Sequence, residues 1–127
     1  MIIPTELSYT SDHEWLRNDG DGRHRVGITD YAQDALGDIV FVRLPAVGDA
    51  VQAGATIAEV ESTKSVSDVY APIAGTVVEV NAGLEKEPEQ LNGDPYGDGW
   101  ICVIDAGKAD PPASILDAGG YRRLTNE

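Results

Sequence analysis

Residues 61–68 read ESTKSVSD and lie between two segments of β character, ATIAEVES (55–62) and SVSDVYAP (65–72). Both alternate apolar and polar residues and carry β-branched side chains, the pattern of strands with one buried face. The Ser and Thr residues around Lys64 are turn formers, so the stretch reads as a hairpin with the lysine at its tip. With three lysines against twenty-two acids in the chain, an ammonium group placed there stands out. Two readings follow: a solvated hairpin lysine, or a handle for a carried group. A lysine that is to be acylated must be exposed, reachable by an attaching enzyme and clear of bulky neighbours. A tight turn of Ser and Thr supplies all three conditions. The amine would then become an amide, and the domain would carry a cofactor rather than perform chemistry.

Outward from the hairpin the sequence stays β. DIVFVRLP (38–45) predicts a strand with Val40, Val42 and Leu44 on one face, stopped by Pro45. GTVVEVN (75–81) and WICVIDA (100–106) supply two more, and HEWLRN (13–18) and HRVGIT (24–29) form a pair joined by an Asp/Gly turn. TDYAQDALG (29–37) predicts a short helix with Thr29 as N-cap and Gly37 as C′ residue. A second helix is expected over about 110–118, with Asp110 as cap, Pro111 as first helical residue and Gly119 as the stop. The tail YRRLTNE (121–127) either docks or frays. PAVGDAV (45–51) and PIAGTVV (72–78) share P-x-x-G-x-x-V, which suggests a duplicated strand-turn unit about a pseudo-dyad. The fold class is mainly β, with one domain over 1–127 and one modest core.

Composition narrows the function. A net charge of −13 repels phosphate backbones and argues against nucleic-acid binding, while favouring encounters with basic partner surfaces. No apolar run reaches the length of a membrane span. Cys102 is the only cysteine and sits in an apolar run, the place of a buried strand residue. HEW (13–15) lacks the second histidine of a zinc-hydrolase helix, since position 17 is Arg17, and no metal site is suggested. Neither a nucleophile elbow nor a phosphate-cradling glycine loop is present. The residues therefore point away from independent catalysis.

Four blocks carry a resemblance: HEWLR (13–17), VGITDYAQDALGDIVFVRLPAVG (26–48), EVESTKSVSDVYAPIAGTVVEVN (59–81) and DPYGDGWI (94–101). Together they cover nearly the whole chain, in order, and resemble the H proteins of the glycine cleavage system. The third is the most specific and looks like the family's lipoylation segment, with Glu61, Ser62, Thr63 and Ser65 around the modified lysine. The resemblance implies a flattened β-barrel or sandwich of the lipoyl-domain type with short flanking helices. Its lipoyl-like core would span about 39–105, with N-terminal strands and a short helix over 8–37. It implies lipoic acid in amide linkage on Lys64, placed there by a lipoate-attaching enzyme.

The resemblance also implies three partner enzymes in glycine catabolism and one-carbon metabolism. Glycine decarboxylase would load an aminomethyl group onto the lipoyl sulfur. An aminomethyltransferase would pass it to tetrahydrofolate, and dihydrolipoyl dehydrogenase would reoxidise the dithiol. Shelter for the labile aminomethyl group is expected from Asp12, Glu14 and Asp68, ordinary surface acids otherwise. Position 35, polar in some members, is Ala35 here. Trp15, Tyr96 and Trp100 read as core and edge aromatics with satisfied polar tips.

Three rivals remain. A lipoyl domain of a 2-oxo acid dehydrogenase complex would match only the central part and would carry Asp where Thr63 stands. A biotin carrier would flank its lysine with methionines. A lipoate-relay protein would use the same lysine to pass its lipoyl group to other apoproteins. The initial Met and the absence of a transit-like start favour a bacterial cytoplasm.

Overall fold

The computed structural model describes residues 1–126, and strand dominates it, in two antiparallel sheets. One sheet has six strands in the spatial order β1 (Ser8–Tyr9), β2 (Glu14–Gly20), β3 (Arg23–Ile28), β9 (Cys102–Asp105), β8 (Gly75–Val80), β5 (Ala50–Val51). The other has three: β4 (Ile39–Arg43), β6 (Thr56–Ser62) and β7 (Val66–Tyr70). Four short helices flank them: α1 (Asp30–Leu36), α2 (Gly83–Lys86), α3 (Gln90–Gly93) and α4 (Ala118–Thr125). The strand pattern's mainly β domain is there, in the sandwich with short flanking helices that the resemblance implies.

Alternation along β2 divides the interior in two. Leu16 points into the main core with Val26, Val42, Val60, Val69, Val77 and Ile104, drawn from both sheets. Trp15, one residue earlier, faces the other way and packs with Ile3, Leu7, Tyr9, Ala118 and Tyr121. Each aliphatic side chain so buried contributes about 1.5–3 kcal/mol of transfer free energy. Cys102 is buried in the main core, and burial pushes its thiol up to about 12, the inert strand residue its sequence context predicts.

Local signals hold at α1. Thr29 Oγ1 accepts from the Ala32 amide at 3.2 Å, and Gly37 closes the helix with its amide on Gln33 O. The repeated motif also has a structural meaning, because its two copies pair with each other. Ala50 faces Thr76 and Val51 faces Gly75, and the Gly48 and Val77 amides bond across to Val77 O and Asp49 O. Gly75 itself lies against the Asp105 carbonyl, where any Cβ would collide with backbone.

Two expectations are corrected. Val40 does not share the buried face of Val42. The β4–β6 register slips between Ile39 and Phe41, so Ile39 and Val42 point inward while Val40 and Phe41 are exposed. The C-terminal helix is not at 110–118. Pro112 disfavours helical geometry at Pro111, and Leu116 instead bridges Tyr9, with paired amide–carbonyl bonds of 2.8 Å. The helix starts after Asp117, whose carboxylate accepts from the Gly120 amide at 2.7 Å, so Gly119 falls in its first turn. The tail is docked through Tyr121, which is fully buried; Glu127 lies outside the described residues.

Candidate functional site

The turn between β6 and β7 is tied by one serine. Ser62 is buried, and its Oγ accepts from the amides of Lys64 and Ser65, both at 3.1 Å, while donating to Ser65 O at 3.2 Å. The Ser62 amide donates to Ser65 O, and the Thr63 amide reaches across to Asp38 O at 3.0 Å. Thr63, Lys64, Ser65 and Val66 are all exposed. The lysine thus stands on a rigid turn with an open side chain. Among the described residues, ion pairs involve only Arg17, Arg25 and Arg43 as cations, so no carboxylate holds the Lys64 amine.

The stem of that lysine rests over the end of α1. A Cβ on Gly37 would come within 3.3 Å of Lys64 Cε and 3.7 Å of its Nζ. Gly37 has φ 81° and ψ −158°, a region almost closed to other residues. Glycine therefore serves here both the backbone and the space under the lysine. Asn92, on α3, fixes this corner: its Nδ2 donates to Gly37 O at 2.9 Å and to Gln33 Oε1 at 3.0 Å, and its Oδ1 accepts from the Ile39 amide at 2.9 Å. Sequence reading had missed Asn92. No local pattern marks a side chain whose partners lie more than fifty residues away.

A cleft of about 240 Å³ opens where the N-terminal strands meet β7, lined by Thr10, Asp12, Glu14, Tyr70, Pro72 and Ser114 among others. Asp12 and Glu14, both picked out in the sequence, come together here. Asp68 does not line it; it sits two residues earlier on β7, exposed and opposite Glu59. Glu14 is no surface acid, being only 2% exposed. Its carboxylate accepts from the Thr10 hydroxyl at 2.6 Å and the Tyr70 amide at 3.1 Å. The Thr10 hydroxyl oxygen also accepts from the amides of Glu14 and Asp12. Burial raises the Glu14 carboxyl above its ordinary value, and these bonds offset only part of the rise.

This shift has a measurable sign. The unfolded Glu14 ionises near its ordinary 4.5, whereas the folded one holds its proton to higher pH. Between those two values the folded state binds more protons, so Glu14 costs stability progressively as pH climbs through that window. Glu14→Gln removes the dependence and keeps an acceptor for the Tyr70 amide. Urea titrations at pH 4, 6 and 8 are expected to show the variant gaining on the wild type with rising pH; a constant difference would refute a raised carboxyl.

The neighbouring His13 has φ 68°. Its ring stacks on Tyr31 at 4.4 Å, and its Nδ1 lies 2.7 Å from the Tyr121 hydroxyl. That hydroxyl also meets Thr29 Oγ1 at 2.7 Å, linking α4 to the cap of α1. Trp15, Tyr96 and Trp100 sit in or against the second cluster, the first two with their polar tips paired. Trp15 is buried and donates to Pro95 O, Tyr96 donates to Ile2 O and accepts from the Asp30 amide, and Trp100 lies under the Arg25 guanidinium at 4.5 Å. A larger groove of about 450 Å³, bordered by Arg43, Pro45, Asp49 and Ile57, lies toward the opposite end of β6 from Lys64. Among the described residues no cluster of three or more His, Cys, Asp or Glu is arranged for a metal, and no helix is long and apolar enough to cross a membrane.

Comparison with known proteins agrees with the geometry. The family described as Glycine cleavage H-protein matches residues 7–127. A glycine cleavage system H protein of Mycobacterium tuberculosis is 55% identical over 131 aligned positions, covering 98% of each chain. One of Alteromonas mediterranea is 55% identical over 125, covering 98% of this chain and 97% of its own. The crystal structure of a glycine cleavage system H protein from Mycobacterium marinum superposes with a TM-score of 0.89 at 44% identity. It covers 98% of this chain and all of that one. The sandwich is accordingly of the lipoyl-domain type, and the chain belongs to the glycine cleavage H-protein family, whose members are carrier subunits and not enzymes.

Proposed function

We propose that Lys64 bears lipoic acid in amide linkage and that 1–127 acts as one carrier domain. It would move the aminomethyl group of glycine from glycine decarboxylase to the aminomethyltransferase and present the reduced arm to dihydrolipoyl dehydrogenase. The observation that carries this reading is an exposed lysine with no ion-pair partner among the described residues, on a turn held by the Ser62 side chain. When bound, the dithiolane supplies a two-electron thiol–disulfide couple.

The chain's own residues do the rest. The Ser62 turn and the Gly37 corner set the direction of the stem, and a tether raises the local concentration of whatever it carries at a partner's active site. The cleft offers shelter from water at its Asp12 and Glu14 wall. β7 leads from the lysine turn to that cleft, with about 13 Å from Val66 to Tyr70 at strand rise. Asp68 lies along this route and offers a negative charge to a cationic amine passing it.

The experiment is an intact-mass measurement after incubation with a lipoate ligase, lipoate and ATP, followed by peptide mapping. One lipoyl increment on Lys64, with none on Lys86 or Lys108, is the expected result. A folded protein that takes up nothing would overturn the proposal.

A further inference from the structure

Among the described residues seven large hydrophobics are exposed, and three of them, Val40, Phe41 and Val66, belong to β4 and β7 beside the lysine turn. Strand register sets two of them in one rung. Phe41 faces Glu61, and Glu61 faces Val66. The next outward rung is Arg43, Glu59 and Asp68, with Arg43 Nη1 3.3 Å from Glu59 Oε2. Side chains two apart on a strand share a face, so both rungs look outward from the three-stranded sheet. Phe41 is the chain's only phenylalanine, and it is 52% exposed; Val66 is 59% exposed. The face thus presents two apolar groups across an acid, then three carboxylates in all against one guanidinium.

We infer that this outward face is a docking surface, and that its occupant is a protein patch apolar at the centre and rimmed by lysine or arginine. The inference rests on the carrier reading above and adds the residues that a partner enzyme reads when it takes hold of Lys64. Charge selects the occupant. A second copy would lay Glu59, Glu61 and Asp68 against the same acids, and an anionic membrane would be repelled by them, in a chain already at −13. A basic rim attracts these carboxylates and speeds encounter, while the buried Phe41 and Val66 hold the complex. Alternation from the inward Val42 already turns the aromatic ring outward, and the register slip at Ile39–Phe41 adds Val40 to the exposed side. Without it, strict alternation would place Val40 and Phe41 on opposite faces.

The test uses lipoylated full chain in glycine–CO2 exchange with glycine decarboxylase, reading KM for the chain and kcat separately. Phe41→Thr/Val66→Thr keeps β propensity and is expected to raise KM about ten-fold with kcat at saturation unchanged, a loss near 1.4 kcal/mol. Glu59→Gln/Asp68→Asn is expected to raise KM less and to flatten its salt dependence. Val47→Ser, an equally exposed valine in the loop before β5, serves as the control and leaves KM unchanged. Unaltered KM in both pairs, with an active wild type, overturns the docking surface alone. A wild type that is lipoylated yet inert overturns the carrier reading and this inference with it. A dimer in sedimentation that the Phe41→Thr/Val66→Thr pair dissolves would assign the face to a second copy instead.

Discussion

Lys64→Arg is expected to fold with the wild-type melting temperature, to accept no lipoyl group and to reduce glycine–CO2 exchange with the partner enzymes to background. The fold is indifferent because the side chain is exposed and holds no ion pair among the described residues. The turn is built from the Ser62 side chain and backbone groups, not from the lysine amine. Exposed substitutions of this kind usually change stability by less than about 0.5 kcal/mol. Function fails because the guanidinium stays protonated under all ordinary conditions and offers no free amine to acylate. The variant keeps the charge and most of the stem length, so electrostatic attraction and general shape are preserved. Exchange at wild-type rates in this variant would remove the carrier assignment.

The second large effect is expected at Asn92. Truncation to alanine leaves the Ile39 amide and the Gly37 carbonyl without their partners and releases Gln33. Both bonds are only part-buried, so each unpaired group costs near the low end of about 1–3 kcal/mol, and a total loss of about 2–3 kcal/mol is expected. For a chain of this size that corresponds to a melting temperature lower by about 6–12 °C. The Gly37–Asp38 corner carries the Lys64 stem and anchors the Thr63 amide, so Asn92→Ala is also expected to slow lipoylation well below the melting transition. Asn92→Asp separates the two effects, because it keeps the acceptor for Ile39 and loses the donor to Gly37. A full melting loss with an unchanged lipoylation rate would show the corner to be purely structural.

The hairpin, the first helix and the exposed place of Lys64 at the hairpin tip were legible because each is specified by neighbours in sequence. Alternation in 55–62 and 65–72 is a period-2 signal, and Thr29 and Gly37 satisfy helix ends through their own local chemistry. Other features depend on residues far along the chain. The slip in β4 is decided by its pairing with β6, and nothing in DIVFVRLP announces it. Asp110 and Asp117 both stand before candidate helical stretches. The choice falls to Asp117 because Leu116 is held extended against Tyr9 and because Tyr121 then stacks on Tyr9 at 4.6 Å. Glu14 was visible as an acid in DHEW, but its burial follows from Thr10 and the amide of Tyr70, fifty-six residues away.

The two hydrophobic clusters share the work unequally. The second joins Ile3, Leu7, Tyr9 and Trp15 to Ala118 and Tyr121, residues separated by about a hundred positions. It holds six buried residues against seventeen in the main cluster, so local opening is expected to cost least here. The cleft lies on the seam between the clusters. Thr10, Asp12 and Pro112 come from the segments that the second one ties down, and Tyr70 and Ala71 from the sheet beside the first. Breathing of the Tyr9–Tyr121 stack therefore moves one wall of the cleft and leaves the other in place. On the carrier reading proposed above, the same motion that loosens the C-terminal helix would set how long a group held at the Asp12 and Glu14 wall stays dry.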